Sequence, residues 1–447
     1  MEMNRRSFMT ATAVAAMGAG SIVVNVASAQ EDTTQTIVEA TAAGCELWDQ
    51  PSEVDRKDPL LDAVLDVAEV TEDLVLPDGS VVPACYVNLR NHINRVGSGV
   101  GSDVNETSWE LFMQLWSEED AIHECEMPML GLFSAVDYAV ASGRSVEECE
   151  AICEDMSQRG LIWRCRRAGV TYYMLLAYLT GFWENQLKRY TYEMNAAGWA
   201  GDDFGPSTAI TTLNTLRPYP ISAEVVEGGV LPPEMDFEAN IARNTKCAVA
   251  DCQCLAWAKS LGDKLDDPHP DETCLALGEM AEFFIETGMG REITTEEALE
   301  VFYAARDRGM VPETIANQNP DILCLCHADH CRNLGGIRAM NGLTVWMETI
   351  NPYVLKYDAD KCIQCGMCID RCPMSSISFG EDGYCEMDTA CVRCGQCVYI
   401  CPADARILAE NPKGMPELPR DYPDYQIYLA KDRYQRGYIT DFTGTSL

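Results

Sequence analysis

The chain has 447 residues and a mass of 49.4 kDa, and 47% of it is apolar, which is enough for two or three domains and excludes disorder throughout. Thirty-three Lys and Arg stand against 70 Asp and Glu, a net charge of -37 that repels a phosphate backbone and excludes nucleic acid or an anionic membrane as the expected partner. Five His against 22 Cys direct the search for chemistry to thiolates, as metal ligands or as disulfides.

Residues 1–29 hold Arg5-Arg6, then Ser7-Phe8-Met9, a weakly apolar stretch from Ala11 to Val24, and the small-residue pattern Ala27-Ser28-Ala29. Charged start, apolar centre and cleavage pattern in that order predict a signal peptide. The paired arginines and the Ala/Gly-diluted centre resemble the twin-arginine export signal, whose pathway carries proteins already folded around their cofactors. The expected location is therefore extracytoplasmic, in the periplasm or cell envelope. No later stretch reaches the ~20 apolar residues of a membrane-spanning helix, so no transmembrane segment is expected in the mature form. Residues 30–58 are acidic and without a period, and are expected to form a flexible linker.

Residues 59–240 are expected to form a mainly helical domain. Ser145 and Glu148 form a capping box ahead of a helix that runs to Gly160, and two short strands between Leu161 and Tyr173 turn at Ala168-Gly169. Helix followed by hairpin is winged-helix-like, and Arg159, Arg164, Arg166 and Arg167 would ordinarily invite a DNA-binding reading. Export and the acidic balance oppose it, and the arginines are expected to meet an acidic neighbouring segment or partner. Cys149 and Cys153, one helical turn apart, are expected in the core.

Residues 241–350 read as a cysteine-rich helical region. Cys247, Cys252, Cys254, Cys274, Cys324, Cys326 and Cys331 fall here with His327 and His330, and Thr294 and Glu297 cap a helix that Gly309 can end. Each C-x-C places two thiolates on one side of an extended segment or turn. Cys252, Cys254, Cys274, Cys324, Cys326 and Cys331 are the pool for a third iron-sulfur cluster, and a zinc site using Cys324, Cys326, His327 or His330, and Cys331 is equally admissible. Buried free thiols, or disulfides formed after export, are the plain alternatives.

Residues 351–408 carry the clearest signal. Cys362, Cys365, Cys368 and Cys372-Pro373 form C-x2-C-x2-C-x3-C-P, and Cys391, Cys394, Cys397 and Cys401-Pro402 repeat it with each cysteine displaced by 29 residues. Three cysteines on a tight loop reach three irons of one cubane, while the fourth ligates the cluster of the other repeat. Cluster one then takes Cys362, Cys365, Cys368 and Cys401, and cluster two takes Cys391, Cys394, Cys397 and Cys372. Structural zinc wants two separated Cys pairs and suits this pattern less. Short hairpin strands at Tyr353–Asp358, Ser376–Phe379 and Gly383–Met387 would complete two (hairpin, helix) halves of a bacterial-type ferredoxin fold, with Cys385 outside the ligand sets. In residues 409–447, Pro412, Pro416, Pro419 and Pro423 are expected to exclude a long helix, leaving a tyrosine-dotted tail that lies across the body or straps a partner.

Cys252-Gln-Cys254, Glu272 to Gly278 (E-T-C-L-x-x-G), Gly288 to Thr294 (G-x-G-R-E-I-T) and the dense run at Cys324, Cys326 and Cys331 resemble a family of ferredoxin-type 4Fe-4S dicluster proteins of anaerobic microbes. The likeness runs from about Asn105 to the tail. His327, Asp329 and His330 stand where that family tends to have Cys, and a cysteine before the E-T-C segment is missing, with Asp266 and Asp267 nearby. The resemblance implies an α+β protein: helical front and middle regions followed by a two-cluster ferredoxin domain. It implies an electron-transfer component that works with a redox partner, which for so acidic a carrier should present a basic docking face. The alternative is a complete oxidoreductase with a further cofactor in the front and middle regions. Corrinoid-dependent reductive dehalogenases, which share the export signal, comparable length and C-terminal clusters, are the example, although the second cysteine run here is a full repeat. No Rossmann fingerprint, Walker loop or H-E-x-x-H accompanies these features.

Overall fold

The computed structural model describes residues 59–100, 106–189, 216–260, 262, 269–339, 351–381, 383, 385–388 and 390–442. The expected export signal and linker, residues 1–58, lie outside the described residues.

The front region is helical because polar caps alternate with apolar faces. Ser117 with Asp120 and Ser134 with Asp137 form reciprocal capping boxes on the helices Glu118–Glu126 and Ala135–Ser142. On Val146–Gln158 the box is half made: Ser145 accepts from the Glu148 N–H, whereas the Glu148 carboxylate turns to Arg144 at 3.1 Å. Trp109, Trp116 and Phe182 fill the core of this region, with Trp116 set edge-on to Phe182 at 4.9 Å. Strands Ile162–Arg167 and Val170–Leu175 pair antiparallel around Ala168 and Gly169, both at positive φ, the backbone of a tight hairpin turn that matches strand twist. The four arginines of this unit are all paired with carboxylates: Arg159 with Asp120, Arg164 with Glu154 and Glu286, Arg166 with Glu282 and Glu286, Arg167 with Glu279 and Asp421. Three of those acids line one side of the helix Gly278–Glu286.

The middle region corrects the helical expectation, for its centre is a six-stranded antiparallel sheet. Its strand order is Arg217–Pro218, Val311–Thr314, Ile322–Cys326, Glu272–Leu277, Cys247–Asp251, Arg291–Ile293. One face carries Ala248, Ala250, Ala276 and Ile322 toward the front core and the helix Gly278–Glu286; the other carries Val249, Leu275, Leu277, Leu323 and Leu325 toward the helix Thr295–Asp307. A strand buried on both faces reads as a continuous apolar run without alternation, which is why its period is silent. The expected cap and stop of Thr295–Asp307 are present, with Thr294 and Glu297 bonding reciprocally and Gly309 at φ +95°.

In the C-terminal region the strand pairing differs from two self-contained halves. Tyr353–Tyr357 pairs with Arg406–Glu410, so the outermost strands close on each other, and Ile377–Phe379 pairs with Cys385–Met387 between them. The tail also corrects its expectation, since Tyr422–Gln435 is a 14-residue helix. Pro423 occupies its first turn, where no backbone N–H is needed, and Asp421 caps it by accepting from the Asp424 N–H. Tyr422, Tyr425 and Leu429 are buried on the body, and Arg433 donates to the carbonyls of Asn94 and Gly97. Among the described residues no helix is long and apolar enough to cross a membrane.

Candidate metal centres

The two cysteine runs fold alike. Gln364 and Arg393 adopt positive φ at the same place in each loop, followed by Gly366 and Gly395 in the left-handed region, which starts the short helices Met367–Asp370 and Gln396–Tyr399. These turns curl three cysteines around one point. The fourth comes from the other run: Cys362, Cys365, Cys368 and Cys401 wall one cavity, and Cys391, Cys394, Cys397 and Cys372 wall the other.

Backbone N–H groups aim at the sulfurs with the same symmetry. Ser376 donates to Cys372 Sγ and Ala405 to Cys401 Sγ, both at 3.4 Å, and Gln364 donates to Cys362 Sγ at 3.4 Å. Such bonds stabilise sulfur that carries negative charge. Burial pushes the Cys394, Cys397 and Cys372 thiols above the ordinary range, so these groups ionise at neutral pH only against a compensating cation. Four converging sulfurs, donor N–H groups and an apolar wall fit a four-iron cubane.

The two cavities are unlike in setting. Cys365 is exposed, with Ile363 64%, Met367 41% and Phe379 51% exposed around it. The second is interior: Val392, Val398 and Leu408 are buried, and the Gln396 amide donates to the carbonyls of Arg306 and Met310 at 2.9 and 2.8 Å. The Ile221 N–H donates to the Cys394 carbonyl at 2.9 Å, which fastens this loop to the segment leading out of the middle sheet.

The middle sheet brings the six pooled cysteines together. Ala250, Cys274, Cys324 and Glu313 stand in one row across four strands, opposite one another in register. Cys326 lies two residues along the same strand. The turn into the helix Arg332–Ala339 supplies Cys331, and the start of Gln253–Ser260 supplies Cys252 and Cys254. Ligand atoms of Glu313, Cys326 and Cys331 lie within 4.8 Å of one another, and Cys331 Sγ donates to Glu313 at 3.3 Å. Hydrogen bonds from Cys274 and Cys326 hold the Cys324 thiol well below the ordinary range, and hydrogen bonds from Cys254 and Cys326 lower Cys331. Their neighbours Cys274 and Cys326 move up in return, as expected when adjoining thiols cannot all ionise. All six are free rather than disulfide-bonded. Cys247 points to the opposite face with Val249 and stays apart from this group.

Sequence reasoning passed over three members of this neighbourhood. Glu313 is fully buried and held by the Asn333 amide at 2.5 Å, and burial pushes its carboxyl up to about 7. Its signal was a lone acid inside the apolar run Met310–Ile315. Glu184 reaches the field of Cys324, and burial raises its carboxyl to about 8. The ring of His269 packs at a tilt against both His327 and His330, with centroids 4.7 and 4.8 Å apart, so three of the five histidines of the chain converge. Of these, His269 and His327 form a nitrogen-oxygen set with Asp329 within 4.8 Å, while His330 faces the Cys252 thiol.

Residues 354–405 match the family model of the 4Fe-4S dicluster domain, so the chain carries a ferredoxin-type iron-sulfur domain where the two cysteine runs lie. No curated protein and no solved structure matches the chain.

Proposed function

We propose that the protein is an exported iron-sulfur electron-transfer protein that relays single electrons through two [4Fe-4S] clusters to or from a partner reductase. The observation that carries this reading is the pair of cavities in the dicluster domain, each walled by four cysteines drawn crosswise from both runs. Cys362, Cys365, Cys368 and Cys401 would hold one cluster, and Cys391, Cys394, Cys397 and Cys372 the other. When bound, each cluster supplies a one-electron couple whose potential follows burial and hydrogen bonding to sulfur.

The residues of the chain divide the remaining work. Val392, Val398, Leu408 and the Gln396 amide keep water from the second cavity and hold its loop. Ile363, Met367 and Phe379 make an exposed apolar spot beside Cys365, and exposed Asp358, Asp360, Asp370 and Asp404 flank the same cysteines in sequence. Asp358 and Asp360 precede Cys362, Asp370 follows Cys368 and Asp404 follows Cys401, so these acids flank the apolar spot on both sides and suit a partner with a basic docking face. Export is supported by Arg5-Arg6 and the cleavage pattern, and the middle thiols would hold a further metal. A complete oxidoreductase is the second reading, and the buried thiols, imidazole and carboxylates of the middle sheet are the observation in its favour.

The test is an anaerobic preparation of the full chain with iron and acid-labile sulfide counted. About eight irons assignable to the C-terminal cysteines are expected, and Cys365→Ala should remove the signal of one cluster. Zinc in place of iron there would reject the reading. Sustained substrate reduction with a low-potential donor and no second protein would promote the oxidoreductase.

A further inference from the structure

The middle sheet gathers more thiols than one metal ion can use. From Cys274 each thiol has the next as an electrostatic neighbour through Cys324, Cys326, Cys331, Cys254 and Cys252, and Cys252 lies in the field of Cys274, so the six form one ring-like cluster. Backbone pairing fixes part of it independently, since Cys274 and Cys324 are opposed across adjacent strands and Cys326 follows at the same-side spacing of two.

We infer that this ring holds a polynuclear iron-sulfur centre, with the imidazole of His330 at its edge, in addition to the clusters of the C-terminal domain. The inference rests on the reading above to the extent that the protein is loaded with iron and sulfide before export. Number is the first argument. A structural zinc takes four ligands, which would leave two thiols of the ring buried with no task, whereas several metal atoms can use all six. Polarity is the second. A core that merely stored thiols would not also bury the Glu313 carboxylate completely, nor His330 at 4% exposure with neither ring nitrogen at ordinary hydrogen-bond distance from a partner. An imidazole facing a thiol, with both nitrogens buried, is poised as a ligand or as a donor to a ligated sulfur.

Position is the third argument and selects the metal. Glu313, whose carboxylate touches Cys331, lies on the strand Val311–Thr314, three residues from Met310, and the Met310 carbonyl accepts from Gln396 beside Cys397. Three residues of strand span about 10 Å, so the ring and the second C-terminal cavity are neighbours. Thiolate-rich ligation beside a redox domain suits iron, while zinc has no redox chemistry.

The experiment counts iron, zinc and acid-labile sulfide in the full anaerobic chain, with Mössbauer spectra of the iron. The wild type should hold more than about eight irons, with matching sulfide. Cys326→Ser and Cys252→Ser should each lose several irons and sulfides together, leaving about eight, and His327→Ala, outside the ring, should keep them all. If the serine variants fail to fold, the number of iron-sulfur sites in the wild-type spectrum decides. A single zinc per chain, eight irons with six alkylatable middle thiols, or one ion lost with His327→Ala but kept in Cys326→Ser would each overturn the inference. Failure of the dicluster reading looks different: iron insensitive to Cys365→Ala but lost with Cys326→Ser.

Discussion

The guanidinium of Arg167 meets the carboxylate of Asp421 at 2.9 Å, with the two side chains 3% and 4% exposed. Arg167 ends a hairpin strand, Asp421 caps the tail helix, and the same guanidinium also binds Glu279 on a helix of the middle region. One cation thus fastens three segments. Asp421→Ala removes the cap and half the compensation of a buried charge, and should cost roughly 3–5 kcal/mol. Asp421→Asn keeps an acceptor for the Asp424 N–H and should cost clearly less. Denaturant midpoints measured anaerobically on the full chain check both, and an unchanged midpoint for Asp421→Ala would remove the clamp from the account.

Glu124 sets a pH dependence. Its carboxylate is fully buried, one oxygen accepts from Trp116 Nε1 at 2.5 Å and the other has no hydrogen-bond partner, and burial pushes its pKa up to about 8. The unfolded chain releases this proton near the ordinary value of 4.5, so the contribution of Glu124 is full below that pH and is lost as pH rises toward 8. Stability should fall by a few kcal/mol across that window, and Glu124→Gln should flatten the fall and be the more stable protein at the alkaline end. Urea midpoints at about pH 5 and about pH 8 read the difference; parallel slopes for both proteins would refute it.

At Gly395 the second cysteine loop touches its support. The residue has φ +82°, and a Cβ there would stand 2.4 Å from Val225 Cγ2. Gly366, its counterpart in the first loop, would meet Phe379 only at 3.3 Å. Gly395→Ala should therefore lose iron from one cluster preferentially, Gly366→Ala should lose less, and Val225→Ala should restore part of the loss in the Gly395 variant. Equal losses at the two glycines would mean that backbone strain alone, and not the Val225 contact, governs loading.

The acidic surface gives a kinetic expectation. With a net charge of -37, association with a basic redox partner should slow as ionic strength rises and the Debye length shrinks from about 30 to about 8 Å. Stopped-flow rates across that range test it. A flat profile would leave the apolar spot at Ile363, Met367 and Phe379 as the whole basis of docking.

The two cysteine runs were legible because loop-forming ligands dictate their own geometry: the C-x2-C-x2-C spacing requires tight turns, and the left-handed residues fall at equivalent positions 29 apart, Gln364 and Arg393. The middle sheet was illegible for the opposite reason. Ile322 to Cys326 is buried on both faces apart from a half-buried Cys324, so no alternation marks it as a strand. Glu313 reaches Cys331 from the adjoining strand and His269 reaches His327 and His330 from a segment distant in sequence, and no local spacing announces either contact. Pro423 misled because a proline that breaks a helix interior is welcome in the first turn.

The pairing of Tyr353–Tyr357 with Arg406–Glu410 brings the entry and exit of the cluster-bearing segment side by side. The chain leaves the body, completes its excursion and returns to the same place before building the helix Tyr422–Gln435, which anchors on Asn94 and Gly97. The segment is therefore a cassette set into the circuit of the chain. Shortening the protein from its C-terminus would strip the front region of its Arg433 anchor before reaching a single cluster ligand, whereas excision between Tyr353 and Glu410 cuts at two points already in contact.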